Sequence, residues 1–299
     1  LPSELNNDVT YESAFKELVS PNYEPVYVDS KKTYNILKWI YIYCYQNLRA
    51  IAFKFIMLLE NDYLNLHYLD SQMFLKHKVR LKDISVFKYI DKGCIDSIKN
   101  SKKINVLIAL QLFPEASIDY WVRDMGIVDY ENFLIHVVKS FSKKGYNVLL
   151  KDHPLQFGFR TVELIKRAKR FENVYFLPYE SDVNYIMNFC HISFTTTGTI
   201  GLQSSLKGLI SFVTPSYYSN NIDFKIYKNK EDFDFHLNNL NLAKLDDDKL
   251  KLRKKRIVSH IYKTSFKGSI LSFFQKKNFL ENNSLVSLVE NLRIYLNKT

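Results

Sequence analysis

The chain has 299 residues, of which 46% are hydrophobic and 24% charged, so it is long enough for two domains with real cores. This composition excludes an intrinsically disordered or a fibrous protein. The net charge is +11, although residues 1–30 hold six acids and one lysine, so the basic excess belongs to the rest of the chain.

The three cysteines, Cys44, Cys94 and Cys190, are far apart and form no CxxC pair. Neither a disulfide framework nor a structural zinc site is therefore expected, and a reducing, cytoplasmic setting is the simplest interpretation. No secretory signal peptide opens the chain. Because the first residue is Leu1 and not Met, we expect the numbering to start inside a longer protein.

The first part of the chain, residues 1–100, is predicted to be mainly helical. Residues 34–59 are apolar enough to raise the question of a membrane span, which needs about 20 apolar residues. Lys38, Arg49 and Lys54 argue against a span, because a charge near its centre costs about 2.5–3.5 kcal/mol. We expect a long amphipathic or half-buried helix here, with a helix lying at a membrane surface as the alternative.

From residue 104 onward, short apolar runs alternate with amphipathic helical stretches. Five runs have the length and the continuous apolar character of strands covered on both faces: residues 104–110, 146–151, 173–177, 191–195 and 209–213. Gly145 and Gly208 lie where two of the intervening helices should end. Strands alternating with helices predict an α/β fold with a doubly wound, parallel, Rossmann-like sheet.

The predicted domain organisation has three parts. They are the helical segment of residues 1–100, a Rossmann-like domain of residues 101–228, and C-terminal helices over residues 229–299 that pack back on the body. The last part carries a basic run of Lys249, Lys251, Arg253, Lys254, Lys255 and Arg256. This run is either a solvated helix face or a contact for anionic lipid headgroups or a lipid pyrophosphate. No nucleic-acid-binding motif accompanies the charge.

The most informative polar segment follows the fourth predicted strand. Ligands of an open parallel sheet bind beyond the carboxyl ends of the strands, near the point where the strand order reverses. Here the chain has Thr196, Thr197, Gly198 and Thr199 before a helix start, so hydroxyls and backbone N–H groups are offered to an anion. Phosphate or diphosphate is the expected ligand, and an ordinary threonine-capped helix is the alternative. The segment is neither a Walker A loop nor a GxGxxG fingerprint.

Polar residues follow two other strands. His153 and Pro154 end the second strand, where the imidazole can donate a hydrogen bond to a phosphate oxygen or assist a leaving group. Glu115 and Asp119 follow the first strand and suit a general base, a general acid or a partner of substrate hydroxyls, unless they are surface or helix-capping carboxylates. No HExxH and no Asp-x-Asp pair occurs in the α/β region, so no metal is expected.

Four motifs occur in a characteristic order: Pro114-Glu115-Ala116, Lys151-Asp152-His153-Pro154, Asn173-Val174-Tyr175-Phe176-Leu177-Pro178, and Thr196-Thr197-Gly198-Thr199-Ile200-Gly201. This order resembles the bacterial capsular polysaccharide biosynthesis proteins, which are related to Kdo- and sialyl-type transferases with HP and Ser/Thr-rich motifs. The resemblance covers residues 104–220, about 40% of the chain.

The resemblance implies a glycosyltransferase of the GT-B type, in which this α/β domain is the nucleotide-sugar half. It implies that the donor phosphate is bound by His153, Pro154, Thr196, Thr197, Gly198, Thr199, Gln203, Ser204 and Ser205. It also implies that Glu115 lies near the transferred sugar or the acceptor hydroxyl. Asp119, which follows the same strand, is the second predicted catalytic residue. Many members of the family have a Glu-Ala pair where this chain has Gln203-Ser204, so the donor sugar can differ.

Under this hypothesis, the chain transfers a sugar from a nucleotide-sugar donor, with CMP-linked sugars among the candidates, to a growing or lipid-linked polysaccharide of the capsule or lipopolysaccharide type. No separate cofactor, metal or nucleic acid is expected, and the protein contacts the anionic inner face of the cytoplasmic membrane peripherally. A teichoic-acid-type polyol-phosphate transferase and a non-enzymatic glycan-binding or assembly subunit are the alternatives. Residues 1–100 do not resemble a second α/β domain, so we expect a partial chain or a reduced transferase.

Overall fold

The computed structural model describes residues 34–61, 79–112, 122–243, 245–264, 289–290 and 293–294. The chain divides into two compact units. One is Glu24–Lys244, and the other combines Leu1–Tyr23 with Leu245–Thr299. The predicted domain bounds at residues 101 and 229 stay a prediction.

A six-stranded parallel sheet forms the centre of the Glu24–Lys244 unit, with the order β3-β2-β1-β4-β5-β6. Its strands are β1 (Asn105–Ala109), β2 (Asn147–Lys151), β3 (Val174–Phe176), β4 (Ile192–Phe194), β5 (Ile210–Val213) and β6 (Lys225–Ile226). The five predicted strands are confirmed to within two residues at each end, and β6 was not predicted. The strand order runs outward from β1 in one direction and then from β4 in the other, which is the doubly wound topology.

The described helices of this unit alternate with the strands as the sequence predicts. They are α1 (Ile36–Glu60), α2 (Cys94–Lys99), α3 (Met125–Val128), α4 (Tyr130–Lys143), α5 (Val162–Ala168), α6 (Val183–Met187), α7 (Thr199–Leu206) and α8 (Lys230–Asn238), with 3-10 helices over Leu81–Tyr89 and Pro154–Gln156. Gly145 and Gly208 follow α4 and α7 with φ of 76° and 92°, the left-handed conformation that glycine adopts at helix ends.

Helices cover both faces of the sheet, because alternate strand residues enter two different hydrophobic cores. Ile108 of β1 belongs to the larger core, to which α1 contributes Trp39 and α4 contributes Phe133. Leu107, the preceding residue, belongs to a second core with Ile186 of α6. Successive side chains of a strand point to opposite faces, so this division follows from the period of two.

The long helix predicted near the start of the chain is confirmed as α1. The side chain of Asn35 accepts a hydrogen bond from the backbone N–H of Lys38 and caps its start, and Asn61 ends it in the left-handed conformation with φ of 50°. In the described part of the chain, no helix combines the length and the apolar character that crossing a bilayer requires.

In the unit containing Leu245–Thr299, residues Asp247–Thr264 form α9, which carries the basic run. The Asp246 carboxylate accepts a hydrogen bond from the Lys249 backbone N–H at 2.8 Å, and Asp247 and Asp248 lie in the first turn. These acids therefore lie at a helix N-terminus, where negative charge is favourable. The predicted packing of the C-terminal helices on the body stays a prediction, as does a lipid contact of the basic run.

Candidate functional site

The site lies where the strand order of the sheet reverses, between the carboxyl ends of β1 and β4. Gln111 follows β1, and the turn of residues 195–198 follows β4. On the other side of β1, Asp152 and His153 follow β2. The two segments predicted to bind phosphate therefore follow the strands on either side of β1. Glu115 and Asp119 lie outside the described residues, so their predicted roles stay predictions.

The turn after β4 is fixed to the neighbouring strand by a buried hydrogen bond. The hydroxyl of Thr196 donates to the Gln111 side-chain oxygen at 2.7 Å, and the exposed fractions of the two residues are only 1% and 7%. This bond crosses from β4 to β1 at the reversal of strand order. It therefore fixes the position of the threonine turn relative to the centre of the sheet.

Three of the four carbonyl oxygens of the turn accept hydrogen bonds from the segment around β5 and β6. The Tyr227 hydroxyl donates to the Thr195 carbonyl at 3.0 Å, and the Tyr218 hydroxyl donates to the Gly198 carbonyl at 2.8 Å. Both the N–H and the hydroxyl of Thr214 donate to the Thr196 carbonyl, each at 3.0 Å. Burial raises the pKa of both tyrosines, so they remain protonated donors. These bonds fix the backbone of the turn to the strands β5 and β6 and the segment between them.

The donors of the turn include the N-terminus of α7. Gly198 is the N-cap residue, and no side chain of the described residues caps the helix. The Gly201 N–H donates to the Gly198 carbonyl at 3.1 Å, which leaves the N–H groups of Thr199 and Ile200 at the helix start for a ligand. A Cβ at Gly198 would lie 2.8 Å from the Thr195 hydroxyl, so the turn excludes a larger residue here. The Thr197 hydroxyl oxygen is buried and has no hydrogen-bond partner among the described residues. An anion would supply the missing acceptor.

Three other predicted phosphate ligands lie further along α7. The Ser204 hydroxyl is within 2.6 Å of Ser193 and 2.8 Å of Ser211, hydroxyls of β4 and β5, and Ser205 donates to the Asp223 carbonyl at 3.1 Å. Both serines are fully buried. The Ser204 hydroxyl joins the helix to the sheet, and that of Ser205 joins it to the segment before β6. Their predicted contact with the donor phosphate stays a prediction. Gln203 lies between the N-terminus and these residues and is half-buried.

His153 and Pro154 form the second wall of the site, at the end of β2. The His153 Nδ1 accepts a hydrogen bond from the Leu155 N–H at 3.1 Å, and Pro154 opens the 3-10 helix Pro154–Gln156. Since Nδ1 is an acceptor, the neutral imidazole carries its proton on Nε2. This tautomer makes Nε2 a hydrogen-bond donor, which is the role that a phosphate ligand requires.

A buried ion pair that the sequence did not predict lies beneath this wall. Arg160 contacts the Asp152 carboxylate at 2.7 Å, with side chains 4% and 0% exposed, and donates to the Gln111 carbonyl at 2.7 Å. Burial opposes the charge of Arg160, but the attraction and hydrogen bonds of Asp152 outweigh it and raise the pKa of the guanidinium. Asp152 also accepts hydrogen bonds from the Tyr179 hydroxyl and the His153 N–H.

This ion pair connects the carboxyl ends of four adjacent strands. It joins Tyr179 after β3, Asp152 after β2 and Gln111 after β1, and Gln111 continues to Thr196 after β4. Because every member is buried, the network orders the strand ends without offering its charges to solvent. Arg160 is thus a structural cation and not a phosphate ligand. An Asp directly after an apolar strand was the available signal in the sequence.

Lys151, the last residue of β2, is also buried, with 6% of its surface exposed. Its ammonium donates to the carbonyls of Asp152 at 3.0 Å and Tyr179 at 2.9 Å. Burial lowers the pKa of Lys151 to about 8, against a smaller opposing effect of Asp152 and Glu180. Lys151 therefore joins the strand ends of β2 and β3 through their backbone carbonyls.

Three solved structures show remote similarity. The wall teichoic acid polymerase TagF aligns over 72% of this chain and 49% of its own, with 16% identity and a TM-score of 0.32. A trehalose-6-phosphate synthase, studied for glycosyl transfer with retention, aligns over 58% of this chain and 47% of its own, with 8% identity and a TM-score of 0.33. The β-Kdo 2,7 transferase KpsC of Thermosulfurimonas dismutans aligns over 65% of this chain and 66% of its own, with 11% identity and a TM-score of 0.30.

The aligned part thus spans about half the length of the first two proteins and less than two thirds of the third. No family model and no curated protein sequence matches the chain. The similarities are too low to assign a reaction. The α/β class rests on the sheet itself, with its six parallel strands and helices on both faces.

Among the described residues, no group of three or more His, Cys, Asp or Glu side chains is placed to hold a metal ion. The donors that the site does offer are neutral: backbone N–H groups of α7, the Thr197 hydroxyl and the His153 imidazole. Such a set favours an anion that carries its own charge, since it provides hydrogen bonds and the helix dipole without a competing carboxylate at the turn.

Proposed function

We propose that the protein is a glycosyltransferase that binds the phosphate of a nucleotide-sugar donor at the reversal point of its sheet. The observation that carries the proposal is the threonine turn before α7. Among the described residues, no side chain caps this helix N-terminus and none bonds the buried hydroxyl of Thr197 in the same short segment. The motif order that resembles capsular polysaccharide biosynthesis proteins supports sugar transfer as the reaction. Phosphate binding itself is supported by the site chemistry alone.

In the proposed reaction, the bond between the anomeric carbon and the donor phosphate oxygen breaks, and a bond from that carbon to an acceptor hydroxyl oxygen forms. The nucleotide leaves with an additional negative charge. The N–H groups of α7, the Thr197 hydroxyl and the Nε2–H of His153 would bind this charge as it develops. The acceptor proton passes to a carboxylate, and Glu115 and Asp119 are the proposed bases.

The proposed acceptor is a growing or lipid-linked surface polysaccharide of the capsule or lipopolysaccharide type. The donor class is a nucleotide sugar, and CMP-linked sugars are included because the motif order resembles Kdo- and sialyl-type transferases. We place the reaction at the inner face of the cytoplasmic membrane, with no tightly bound metal. In this proposal, the donors around α7 provide the charge stabilisation that a metal gives in other transferases.

The decisive experiment measures binding and turnover with CMP-, UDP- and GDP-sugars by calorimetry and by product analysis. His153→Ala should weaken nucleotide binding or turnover at least tenfold. His136→Gln is the matched control, because His136 pairs with Asp234 at 2.8 Å away from the sheet edge. Unchanged binding and turnover in His153→Ala would show that the pocket is wrongly assigned. A new phosphodiester in the product would instead identify a polyol-phosphate transferase.

A further inference from the structure

Helix α1 presents a continuous apolar surface to solvent along its whole length. We call this surface the α1 apolar face. Its large members are between 43% and 76% exposed: Ile36, Leu37, Ile40, Tyr41, Tyr45, Leu48, Ile51, Phe55, Leu58 and Leu59. Single exposed apolar residues are ordinary, whereas ten on one helix are not.

The members of this face lie on one side of the helix. At 3.6 residues per turn, their positions fall within about half of the helix circumference. The opposite side anchors α1 to the α/β unit. Trp39 is 1% exposed within the larger core, and Ile42 and Tyr43 pack against the same core. The helix is therefore seated through one side and leaves its more apolar side uncovered by the described residues.

Basic residues border the apolar face on both edges. Lys38 and Arg49 lie along one edge, and Lys54 lies along the other, as the helical period places them. Between Ile36 and Leu59 the helix contains no acid, and Glu60 is its last residue. Lys38 and Arg49 lie over the rings of Tyr34 and Phe53, at 4.4 and 5.0 Å, so their charges lie close to the helix surface.

We propose that the α1 apolar face lies in the surface of an anionic lipid bilayer. The apolar side chains would enter the boundary between headgroups and acyl chains, and the basic residues of both edges would contact lipid phosphates. The helix is about 36 Å long at 1.5 Å per residue, and it would lie in the plane of the membrane.

The charges favour a lipid surface over a second copy of the chain. Two α1 faces packed together would bring Lys38, Arg49 and Lys54 of one helix near the same cations of the other, and like charges at a contact are unfavourable. An anionic bilayer complements both edges at once. The acidic segment of residues 1–30 is a further conceivable occupant, and the experiments below distinguish it.

Docking would also orient the proposed active site. Tyr34, just before α1, stacks on Tyr179 at 5.7 Å and contacts Phe157 edge-on at 5.1 Å. Tyr179 donates to Asp152, beside His153. The start of the helix therefore contacts the segment that forms one wall of the site, so a lipid-linked acceptor would be near it. Binding of the α1 apolar face to a bilayer does not depend on the proposed reaction. The placement of the active site near a lipid-linked acceptor rests on the proposed function.

The first test is sedimentation of the full chain with vesicles of phosphatidylcholine and phosphatidylglycerol at a 3:1 ratio. Leu48→Glu combined with Phe55→Glu should reduce binding at least tenfold, because both side chains are more than 60% exposed and lie on the face. Leu81→Glu combined with Ile222→Glu is the matched control, since these residues are 63% and 75% exposed elsewhere in the unit. Equal binding by the two double variants would overturn the proposal.

The second test places a polarity-sensitive fluorophore on Cys44, which is exposed on the same side of α1. Cys94→Ser and Cys190→Ala remove the other two thiols. Addition of the anionic vesicles should shift the emission to the blue, and a quencher attached to the lipid chains should reduce it. A blue-shifted emission without vesicles would show that residues 1–30 or a second copy already covers the face, and it would overturn the proposal.

The outcomes separate docking from catalysis. Hydrolysis of a soluble nucleotide sugar should be equal in the wild type and in the Leu48→Glu, Phe55→Glu variant. If hydrolysis is absent from both while vesicle binding differs between them, the docking stands and the proposed reaction fails. Vesicles of phosphatidylcholine alone should bind at least tenfold more weakly than the anionic ones. Equal binding to both would refute the role assigned to the basic edges.

Discussion

The buried ion pair of Asp152 and Arg160 makes Arg160 important for the stability of the fold. Arg160→Met should lower the free energy of unfolding by roughly 3–5 kcal/mol, because a buried carboxylate would lose its cation. Urea denaturation followed by circular dichroism measures the change. Asp152→Asn in the same chain should restore part of the loss, since it removes the uncompensated charge.

The matched control for this prediction is Arg167→Met, on the neighbouring helix α5. Arg167 donates to the Asn132 side chain at 2.6 Å in an exposed contact, so its loss should cost less than about 1 kcal/mol. If both variants unfold at the same urea concentration, the buried pair does not have the structural role that we assign to it.

Thr197 provides the opposite case, a residue whose loss should affect binding and not stability. Thr197→Val keeps the shape of the side chain and removes a hydroxyl that has no partner among the described residues, so the fold should be unchanged or slightly more stable. Nucleotide affinity should fall about tenfold, because the proposed phosphate loses one hydrogen bond to a charged group. Calorimetry and urea denaturation give the two values.

Thr214→Val should behave in the reverse way. Its hydroxyl donates to the Thr196 carbonyl at 3.0 Å, so this variant should be destabilised by about 1 kcal/mol. A loss of stability without a loss of affinity in Thr197→Val would mean that its hydroxyl has a structural partner and does not bind the donor.

The residue types at the strand ends are visible in the sequence, but their hydrogen-bond partners are not. Thr196, Thr197, Gly198 and His153 were found because hydroxyls, glycine and imidazole at strand ends have a recognisable chemistry. The sequence could not distinguish a phosphate-binding role of Ser204 and Ser205 from a structural one. A hydroxyl that binds phosphate and a hydroxyl that joins a helix to its neighbours look alike in a sequence. Which of them faces the sheet depends on the packing of α7 on β4 and β5.

At the scale of elements, α7 depends on one glycine that lets it approach the sheet. A Cβ on Gly201 would overlap the Val213 side chain and would lie 2.7 Å from the Tyr218 hydroxyl and 3.1 Å from Thr195. Gly201→Ala should therefore displace the helix from β5 and destabilise the protein by about 1–3 kcal/mol. Nucleotide affinity should fall with it, because the same displacement moves the helix N-terminus.

Gly145→Ala separates this effect from ordinary backbone strain. A Cβ there meets nothing within 4 Å, but φ is 76°, so the cost should be about 1–2 kcal/mol without any change of affinity. Urea denaturation and calorimetry are measured on both variants. If Gly201→Ala binds nucleotide as tightly as Gly145→Ala does, the position of α7 is not critical for the site.

The strands were predicted well where burial alone defines them, and poorly where contacts define them. β1 to β5 are apolar runs covered on both faces, which a sequence displays directly. β6 has two residues, Lys225 and Ile226, both half-buried, and it exists because β5 offers an open edge. The 3-10 helix Leu81–Tyr89 likewise lacks a regular apolar period, so packing and not pattern determines it.

For the whole molecule, the pH dependence of stability should report the burial of Lys151. Burial lowers the pKa of Lys151 to about 8 from its ordinary 10.5. Between these values the unfolded chain keeps a proton that the folded chain has lost, so the free energy of unfolding should rise with pH. Burial also raises the pKa of the Cys190 thiol from 9.0 to about 12, which lowers stability above pH 9.

The contribution of Lys151 is therefore expected to be clearest between pH 8 and 9, before the loss due to Cys190 sets in. Lys151→Met removes the titrating group, so its free energy of unfolding should rise less between pH 7 and 9 than that of the wild type. Lys139→Met, at an exposed position of α4, should leave the slope unchanged. Urea denaturation at pH 7, 8 and 9 gives the three slopes. Equal slopes in wild type and Lys151→Met would show that this lysine titrates alike in the folded and unfolded chains, and that its ammonium is not confined to the buried strand ends.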